Sequence, residues 1–232
     1  MRPAAAALLV SVLLSPALAR AEPALPDAEV TRRLTFLEDV LAREQAATRG
    51  WYQSWLAIFG GATLAQGGLV AVAPNRAARV TGLVGGAKSV IAFTFLLSGP
   101  STGTTAAAEL ATVPGDTPAA RRVKLRHAEI RLRTIADEER YRQSWFPLIG
   151  GAVVNLAGAW ITWTVTRSPI PGWIGLGAGT VVSQVQRLTQ PTLAMRAWAS
   201  YARGRADARL PPLGPALTVA PLPGGMALQG SF

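Results

Sequence analysis

Residues 53–62 read QSWLAIFGGA, and residues 143–152 read QSWFPLIGGA. The same shift of 90 positions places Trp51 on Tyr141. Similar segments at a constant spacing indicate an internal duplication, which constrains the architecture before any residue is given a role. The predicted unit is an arginine-rich amphipathic helix followed by two apolar, glycine-rich segments.

The duplication predicts an all-α membrane protein of two tandem repeats, because apolar runs of about twenty residues suffice to cross a bilayer. Repeat 1 covers residues 22–110, with a helix at 27–50 and spans at 55–73 and 79–99. Repeat 2 covers 111–204, with a helix at 118–142, spans at 145–165 and 169–186, and an interfacial helix at 191–203. Trp and Tyr cluster at the ends of the predicted spans, which is typical of side chains that lie at the depth of the lipid headgroups. A soluble helical bundle is the alternative, although its dense glycines would cost about 0.5–1 kcal/mol each in exposed helices.

The first residues resemble a secretory signal peptide, predicted at 1–21. Arg2 is a positive n-region, residues 4–14 are apolar, and residues 17–19 (ALA) form a cleavage pattern. An uncleaved anchor is the alternative, but Pro16 interrupts a run that is short for a core of about 30 Å. We therefore expect export to the bacterial envelope.

The amino-acid composition agrees with a membrane protein. Charged residues make up 16% of the chain, against about 25% in soluble domains. The chain has no cysteine, which excludes disulfides, thiolate catalysis and cysteine-based metal sites. The net charge of +10 favours anionic lipid headgroups as partners of an exported chain, and we expect no nucleic acid partner.

Small residues recur on single helix faces of the predicted spans. Close backbone approach at such faces drives helices together in lipid, within one chain or between copies in a homo-oligomer. A phosphate-binding loop does not fit, because no glycine run follows a predicted strand. The predicted packing glycines are Gly61, Gly82, Gly86, Gly151, Gly175 and Gly179.

A few polar residues interrupt the apolar spans. Lys88 is the ionisable one, and such residues in a membrane are functional candidates by default, unless they lie near a span end and snorkel. With a slip of one residue, which also places Val90 on Val181 and Pro100 on Pro191, its counterpart in the second copy is Gly179, so the role of Lys88 is not duplicated. Gln66, Asn155 and Gln184 each need a hydrogen-bond partner in hydrocarbon, either on another helix or along a narrow conduit.

No residue pattern predicts a catalytic, cofactor or metal site. His127 lies among charged residues of a helix without a second ligand at metal-binding spacing, which favours a solvated side chain. Asp137, Glu138 and Glu139 are consecutive and point around the helix instead of converging. We therefore expect all three carboxylates on a solvated face.

Orientation follows from the signal peptide. Cleavage leaves the N-terminus in the periplasm, and four crossings return the C-terminus there, which predicts an inner membrane protein. The connectors with Arg76, Arg79 and Arg167 would then face the cytoplasm. Both arginine-rich helices would lie outside, against the positive-inside rule, and a reversed anchor would invert the arrangement.

The C-terminal part resembles uncharacterised exported multi-pass membrane proteins of myxobacteria-like bacteria. The residues that carry the resemblance are 155–158 (NLAG), 189–192 (TQPT), 196–198 (RAW), Tyr201, 219–225 (VAPLPGG) and 230–232 (GSF). The resemblance implies an envelope location and no known activity. For the Pro/Gly-rich tail, 205–232, we expect mostly disorder, with a small hairpin around residues 223–225 as the alternative.

The sequence favours a non-enzymatic envelope protein with a structural or interaction role, with an envelope protein or a second copy as partner. A small channel or transporter is the alternative, with polar span residues lining a path. A lipid-modifying enzyme would need convergent His or carboxylate side chains at the membrane interface, and the sequence indicates none.

Overall fold

The computed structural model describes residues 25–204, 216–222 and 225–231. The helices in these ranges are α1 (Asp27–Ala71), α2 (Arg76–Ser98), α3 (Ala106–Ala111), α4 (Pro118–Gln143), α5 (Phe146–Thr166), α6 (Pro169–Leu188) and α7 (Leu193–Tyr201). A 3-10 turn covers Thr102–Thr104, and the strands are β1 (Ala216–Leu222) and β2 (Gly225–Ser231). The predicted signal peptide, residues 1–21, lies outside the described residues.

The first helix is a single element of 45 residues, about 68 Å long at 1.5 Å per residue. The prediction of a separate helix at 27–50 and a span at 55–73 is therefore wrong. Gly50 alone costs a helix only about 1 kcal/mol. Between Pro26 and Pro74 the chain has no proline that would end the helix.

The predicted second copy breaks where the predicted first copy continues. Ser144 is extended (φ −70°, ψ 172°), and α5 begins at Phe146 with Pro147 in its first turn. A proline within a continuous helix would lack its hydrogen bond and would clash with the carbonyl four residues before it, here that of Gln143. The first copy has Ala57 at this position. Consequently Trp55 is 2% exposed, whereas its counterpart Trp145 is 68% exposed.

Residues 27–50 of α1 form a headpiece with the 3-10 turn, α3, α4 and α7, around one apolar core. Arg122, near the start of α4, pairs with Asp27 at the start of α1 (2.6 Å). Glu139, near the end of α4, lies against Glu44 of α1. Helices α1 and α4 therefore run parallel. The buried core comprises Val30, Leu34, Leu37, Val40, Leu41, Ala106, Leu110, Leu125, Ala128, Leu132, Ile135, Ala136, Ala194, Ala197 and Tyr201.

The predicted interfacial helix, 191–203, corresponds to α7. Ala194, Ala197 and Tyr201 bury its apolar side in the headpiece core, and α7 packs against α4. Its apolar side therefore packs on protein, and a location at the membrane interface stays a prediction.

The remaining helices form an apolar layer, which we define as residues 55–71 of α1 with α2, α5 and α6. Helices α1 and α2 pair as one hairpin and α5 and α6 as another, and α2 packs on α5. Among the described residues, α1, α2 and α5 are long and apolar enough to cross a membrane. In the most apolar 18 residues of each of these three helices, only 17%, 6% and 17% of the residues are buried within the protein. The coarse expectation of a helical protein with helices long and apolar enough to span a membrane is thus confirmed.

The fourth predicted span, 169–186, is a helix of 20 residues but is not among these three. Ser183, Gln184, Gln186 and Arg187 make its last turns polar. A fourth crossing therefore stays a prediction.

Aromatic side chains join the headpiece to the layer. Trp51, Trp55 and Phe59 of α1 pack with Phe93 of α2. The Trp55 indole Nε1 donates a hydrogen bond to the hydroxyl oxygen of Thr189, after α6 (3.3 Å). This contact fixes the end of α6 against the middle of α1.

The tail contains the hairpin that the sequence analysis gave as an alternative to disorder. Strands β1 and β2 are antiparallel, with Ala216 opposite Ser231 and Leu222 opposite Gly225. Residues 205–215, 223–224 and 232 lie outside the described part of the chain.

Candidate functional site

Lys88 makes the polar contact that joins three helices of the apolar layer. Its ammonium Nζ, on α2, donates to Asn155 Oδ1 on α5 (3.1 Å) and to the Gly175 carbonyl oxygen on α6 (3.0 Å). Asn155 is buried, at 6% exposed. Two of the three ammonium protons thus have protein acceptors within the apolar layer. We call Lys88, Asn155 and Gly175 the lysine node.

Glycines make room for the lysine node. A Cβ on Gly158 would lie 3.1 Å from Val84 Cγ1 and 3.3 Å from Lys88 Cδ. A Cβ on Gly179 would overlap the Asn155 carboxamide. Helices α2 and α6 can therefore approach α5 only because these positions lack a side chain. Gly179 was predicted from the sequence, whereas Gly158 was not.

The other predicted packing glycines differ in their surroundings. A Cβ on Gly82 would lie 2.7 Å from Val70 Cγ2, and one on Gly151 would lie 3.5 Å from Ser183 Oγ. Gly175 has open space at its Cβ position and contributes its carbonyl instead. Gly61 is half-buried in α1.

Gln66 and Gln184 lie apart from the lysine node. The Gln66 carboxamide lies over Gly85, whose Cβ would be 2.9 Å from its Cδ, and a Cβ on Gly86 would be 3.5 Å from Gln66 Cβ. Gln184 is half-buried on α6. Of the four predicted polar residues, the structure brings together Lys88 and Asn155.

A second polar site, not predicted from the sequence, lies in the headpiece. Glu44 and Glu139 are 1% and 3% exposed. Thr48 donates its hydroxyl proton to Glu44. The backbone N–H groups of Ala194 (3.4 Å) and Met195 (2.6 Å) donate to Glu139. Glu139 therefore caps the N-terminus of α7, where the helix dipole also favours a negative charge. We call Glu44 and Glu139 the carboxyl pair.

Burial raises the pKa of both members of the carboxyl pair, because it disfavours the charged form. The pKa of Glu139 rises to about 8, first through burial and then through the neighbouring charge of Glu44. Two adjacent buried carboxylates cannot both ionise easily, so burial and the charge of Glu44 favour the protonated form of Glu139 at neutral pH.

The expectation that residues 137–139 form a solvated face is wrong for Glu139. Asp137 is exposed and pairs with Arg140 (2.5 Å), and Glu138 accepts hydrogen bonds from Ser101 (3.0 Å) and the Thr102 N–H (3.2 Å). The helical spacing of Glu139 from apolar residues is the sequence signal that would have predicted its burial. Glu139 follows buried Ile135 and Ala136 by four and three residues, which places it on the apolar side of α4.

The headpiece also carries an open groove of about 560 Å³ between α1, the end of α3 and the start of α4. Its charged lining includes Lys124 and Glu38, which pair with each other (2.8 Å), and Asp116 and Arg121. The described residues contain no group of three His, Cys, Asp or Glu side chains arranged to hold a metal ion.

No protein-family model, curated protein or solved structure matches the chain.

Proposed function

We propose that the protein is a non-enzymatic integral membrane protein of the bacterial cell envelope, with a structural or interaction role. The observation that carries this proposal is a reversal in the placement of apolar side chains. In the headpiece they point inward, to a closed core. In the apolar layer many of them face outward, as expected for contact with lipid. Examples are Leu64, Leu69, Phe95, Val153, Trp160 and Ile174.

The dimensions of α5 support the same proposal. Exposed Trp145 and Trp163 are 18 residues apart, which is about 27 Å along a helix. This separation suits two headgroup regions flanking a hydrocarbon core of about 30 Å. Arg167, in the left-handed conformation (φ 52°) at the end of α5, would lie just beyond the second region.

We further propose four crossings, with α6 as the fourth, in the inner membrane. The headpiece and both termini would be periplasmic, and the connectors after α1 and α5 cytoplasmic. A cleaved signal peptide supports this orientation, whereas the arginines of α1 and α4 oppose it. Anionic lipid headgroups are the proposed partners of these arginines, at roughly 1 kcal/mol for each one near the surface.

Cysteine labelling tests the proposal, since the chain has no cysteine of its own. Arg133→Cys reports on the headpiece and Val72→Cys on the first connector; both positions are exposed. Cells with a permeabilised outer membrane are treated with a membrane-impermeant maleimide, and lysed cells serve as the control in which both positions react.

We expect labelling at 133 only. Labelling at 72 only would invert the orientation and imply an uncleaved leader. Labelling at both positions in unlysed cells would contradict the crossings of α1 and α2 and favour a soluble or surface-attached bundle.

A small channel or transporter is the second candidate, because the lysine node lies in the middle of the apolar layer. Ion flux into proteoliposomes tests this candidate. Flux that is lost in Lys88→Met but kept in Arg167→Gln, which removes a positive charge at a connector, would favour transport. Absence of flux in the unmodified protein would favour the first proposal.

Self-association is a further part of the proposal. Gly150, Gly175 and Gly177 have open space around them, so the faces that carry them could admit a helix of a second copy. Cross-linking of single-cysteine variants at these positions in native membranes tests this contact.

A further inference from the structure

The carboxyl pair connects three elements that are distant in sequence. Glu44 belongs to α1, Glu139 to α4, and the two N–H groups that bind Glu139 belong to the first turn of α7. The 3-10 turn closes the site, since a Cβ on Gly103 would lie 3.3 Å from Glu44 Oε1. A change in the charge of this pair therefore acts directly on the hydrogen bonds that hold the first turn of α7.

We propose that one proton shared by Glu44 and Glu139 holds α7 on the headpiece, and that loss of this proton releases α7. With one proton present, one carboxyl group donates to the other, and the remaining negative charge accepts the two N–H groups of α7. After deprotonation, two adjacent buried carboxylates repel each other. Separation and hydration of the carboxylates relieve the repulsion, and α7 is the shortest of the three elements.

The surroundings of the pair make this response specific to it. Arg142 of α4 is the charged group that acts on Glu44, whose pKa it lowers. Two other arginines donate hydrogen bonds to backbone carbonyl oxygens. Arg49 of α1 donates to the Thr104 carbonyl oxygen (2.7 Å), and Arg196 of α7 donates to the Thr192 carbonyl oxygen (3.2 Å). The 3-10 turn, with the sequence Thr-Gly-Thr, brings no titratable group. Arg142 also pairs with Glu138 (3.4 Å), so its positive charge is shared with a carboxylate outside the pair.

The pKa of Glu139, about 8, sets the range of the response. The docked state holds the proton more tightly than the released state, in which Glu139 is hydrated and its pKa approaches 4.5. The ratio of docked to released α7 therefore falls as pH rises, by up to about tenfold per pH unit between about pH 5 and 8. Above pH 8 the ratio levels off, because both states are then ionised.

Spin labels at Ala46→Cys in α1 and Arg203→Cys just after α7 test the proposal, since both positions are exposed. The full chain is reconstituted in nanodiscs, and the label-to-label distance distribution is measured by pulsed electron resonance at pH 5.5 and 8.5. We expect a narrow distribution at pH 5.5 and a broadened or longer one at pH 8.5.

Variants assign the response to the pair. Glu44→Gln should make the broadening at pH 8.5 clearly smaller, because it removes the repulsion between the carboxylates and leaves only burial to oppose the ionisation of Glu139. Glu139→Gln should remove the pH dependence, which keeps the test decisive if one variant does not fold. Asp39→Asn, the same change at an exposed position of α1, should behave as the unmodified protein. The same narrow distribution in the unmodified protein at both pH values, or equal broadening in Glu44→Gln, would overturn the proposal.

Discussion

Two glycines of α6 allow a matched test of how the apolar layer packs. Gly172 lies against α5, where an added Cβ would be 2.7 Å from the carbonyl oxygen of Ala159. Gly177 lies five residues further along the same helix, with open space at its Cβ position. We predict that Gly172→Ala destabilises the protein and that Gly177→Ala does not.

The size of the destabilisation follows from the atoms that the new methyl group would contact. A separation of 2.7 Å is well below the 3.5 Å or so at which non-bonded atoms attract. The neighbour at Gly172 is backbone and cannot rotate away, so the two helices must move apart. Overpacking of this kind costs about 1–3 kcal/mol. At Gly177 no neighbour opposes the methyl group, and alanine improves helix propensity by up to about 1 kcal/mol.

The assay is unfolding in mixed micelles at increasing mole fractions of dodecyl sulfate, followed by circular dichroism. Gly172→Ala should shift the midpoint to lower dodecyl sulfate, and Gly177→Ala should leave it unchanged or raise it slightly. Equal midpoints for the two variants would refute the packing of α6 against α5 at Gly172. A loss confined to Gly177→Ala would mean that the opposite face of α6 contacts protein.

Three further predictions use the same titration or its pH dependence. Lys88→Met should lower the stability of the layer by about 1–2 kcal/mol, because Asn155 then lacks its donor; an unchanged midpoint would contradict the hydrogen bonds of the lysine node. Leu132→Ala, in the headpiece core, should cost about 2–5 kcal/mol, whereas Leu83→Ala, on an exposed face of α2, should cost much less. Because the pKa of Glu139 is raised in the folded state to about 8, the folded protein binds more protons than the unfolded chain above about pH 4.5. The free energy of unfolding should therefore fall as pH rises to about 8, by up to about 1.4 kcal/mol per unit, and the slope should flatten in Glu44→Gln.

Local patterns were sufficient to predict most helices of the protein. The helix predicted at 118–142 is observed as α4, where Thr117 accepts a hydrogen bond from the Ala120 N–H (3.1 Å) as the N-cap. The segment predicted as a span at 145–165 is observed as the helix α5. Both predictions rest on apolar periodicity and capping residues, which act within a few residues of chain.

Contacts between distant residues could not be predicted in the same way. The short helix α3 rests on the headpiece through Gln45 of α1, whose Oε1 accepts from the N–H groups of Ala107 and Ala108 (both 3.0 Å). Its six residues are too few to be a stable helix on their own. Burial of Glu139 likewise depends on α1 and α7, and the sequence around Glu139 contains acidic and basic neighbours that suggest a solvated helix.

The lysine node shows how two similar hairpins form one asymmetric site. Lys88 of α2 and Gly179 of α6 are counterparts in the predicted duplication, and both lie against Asn155 of α5. One position supplies a long cationic side chain as a donor, and the other supplies no side chain at all, so the carboxamide fits between the two helices. A second lysine at 179 would bring two positive charges to one acceptor in hydrocarbon, and a glycine at 88 would leave Asn155 without its donor. The packing of α5 between α2 and α6 therefore needs different residues at the two positions, and the predicted duplication alone does not indicate which one carries the lysine.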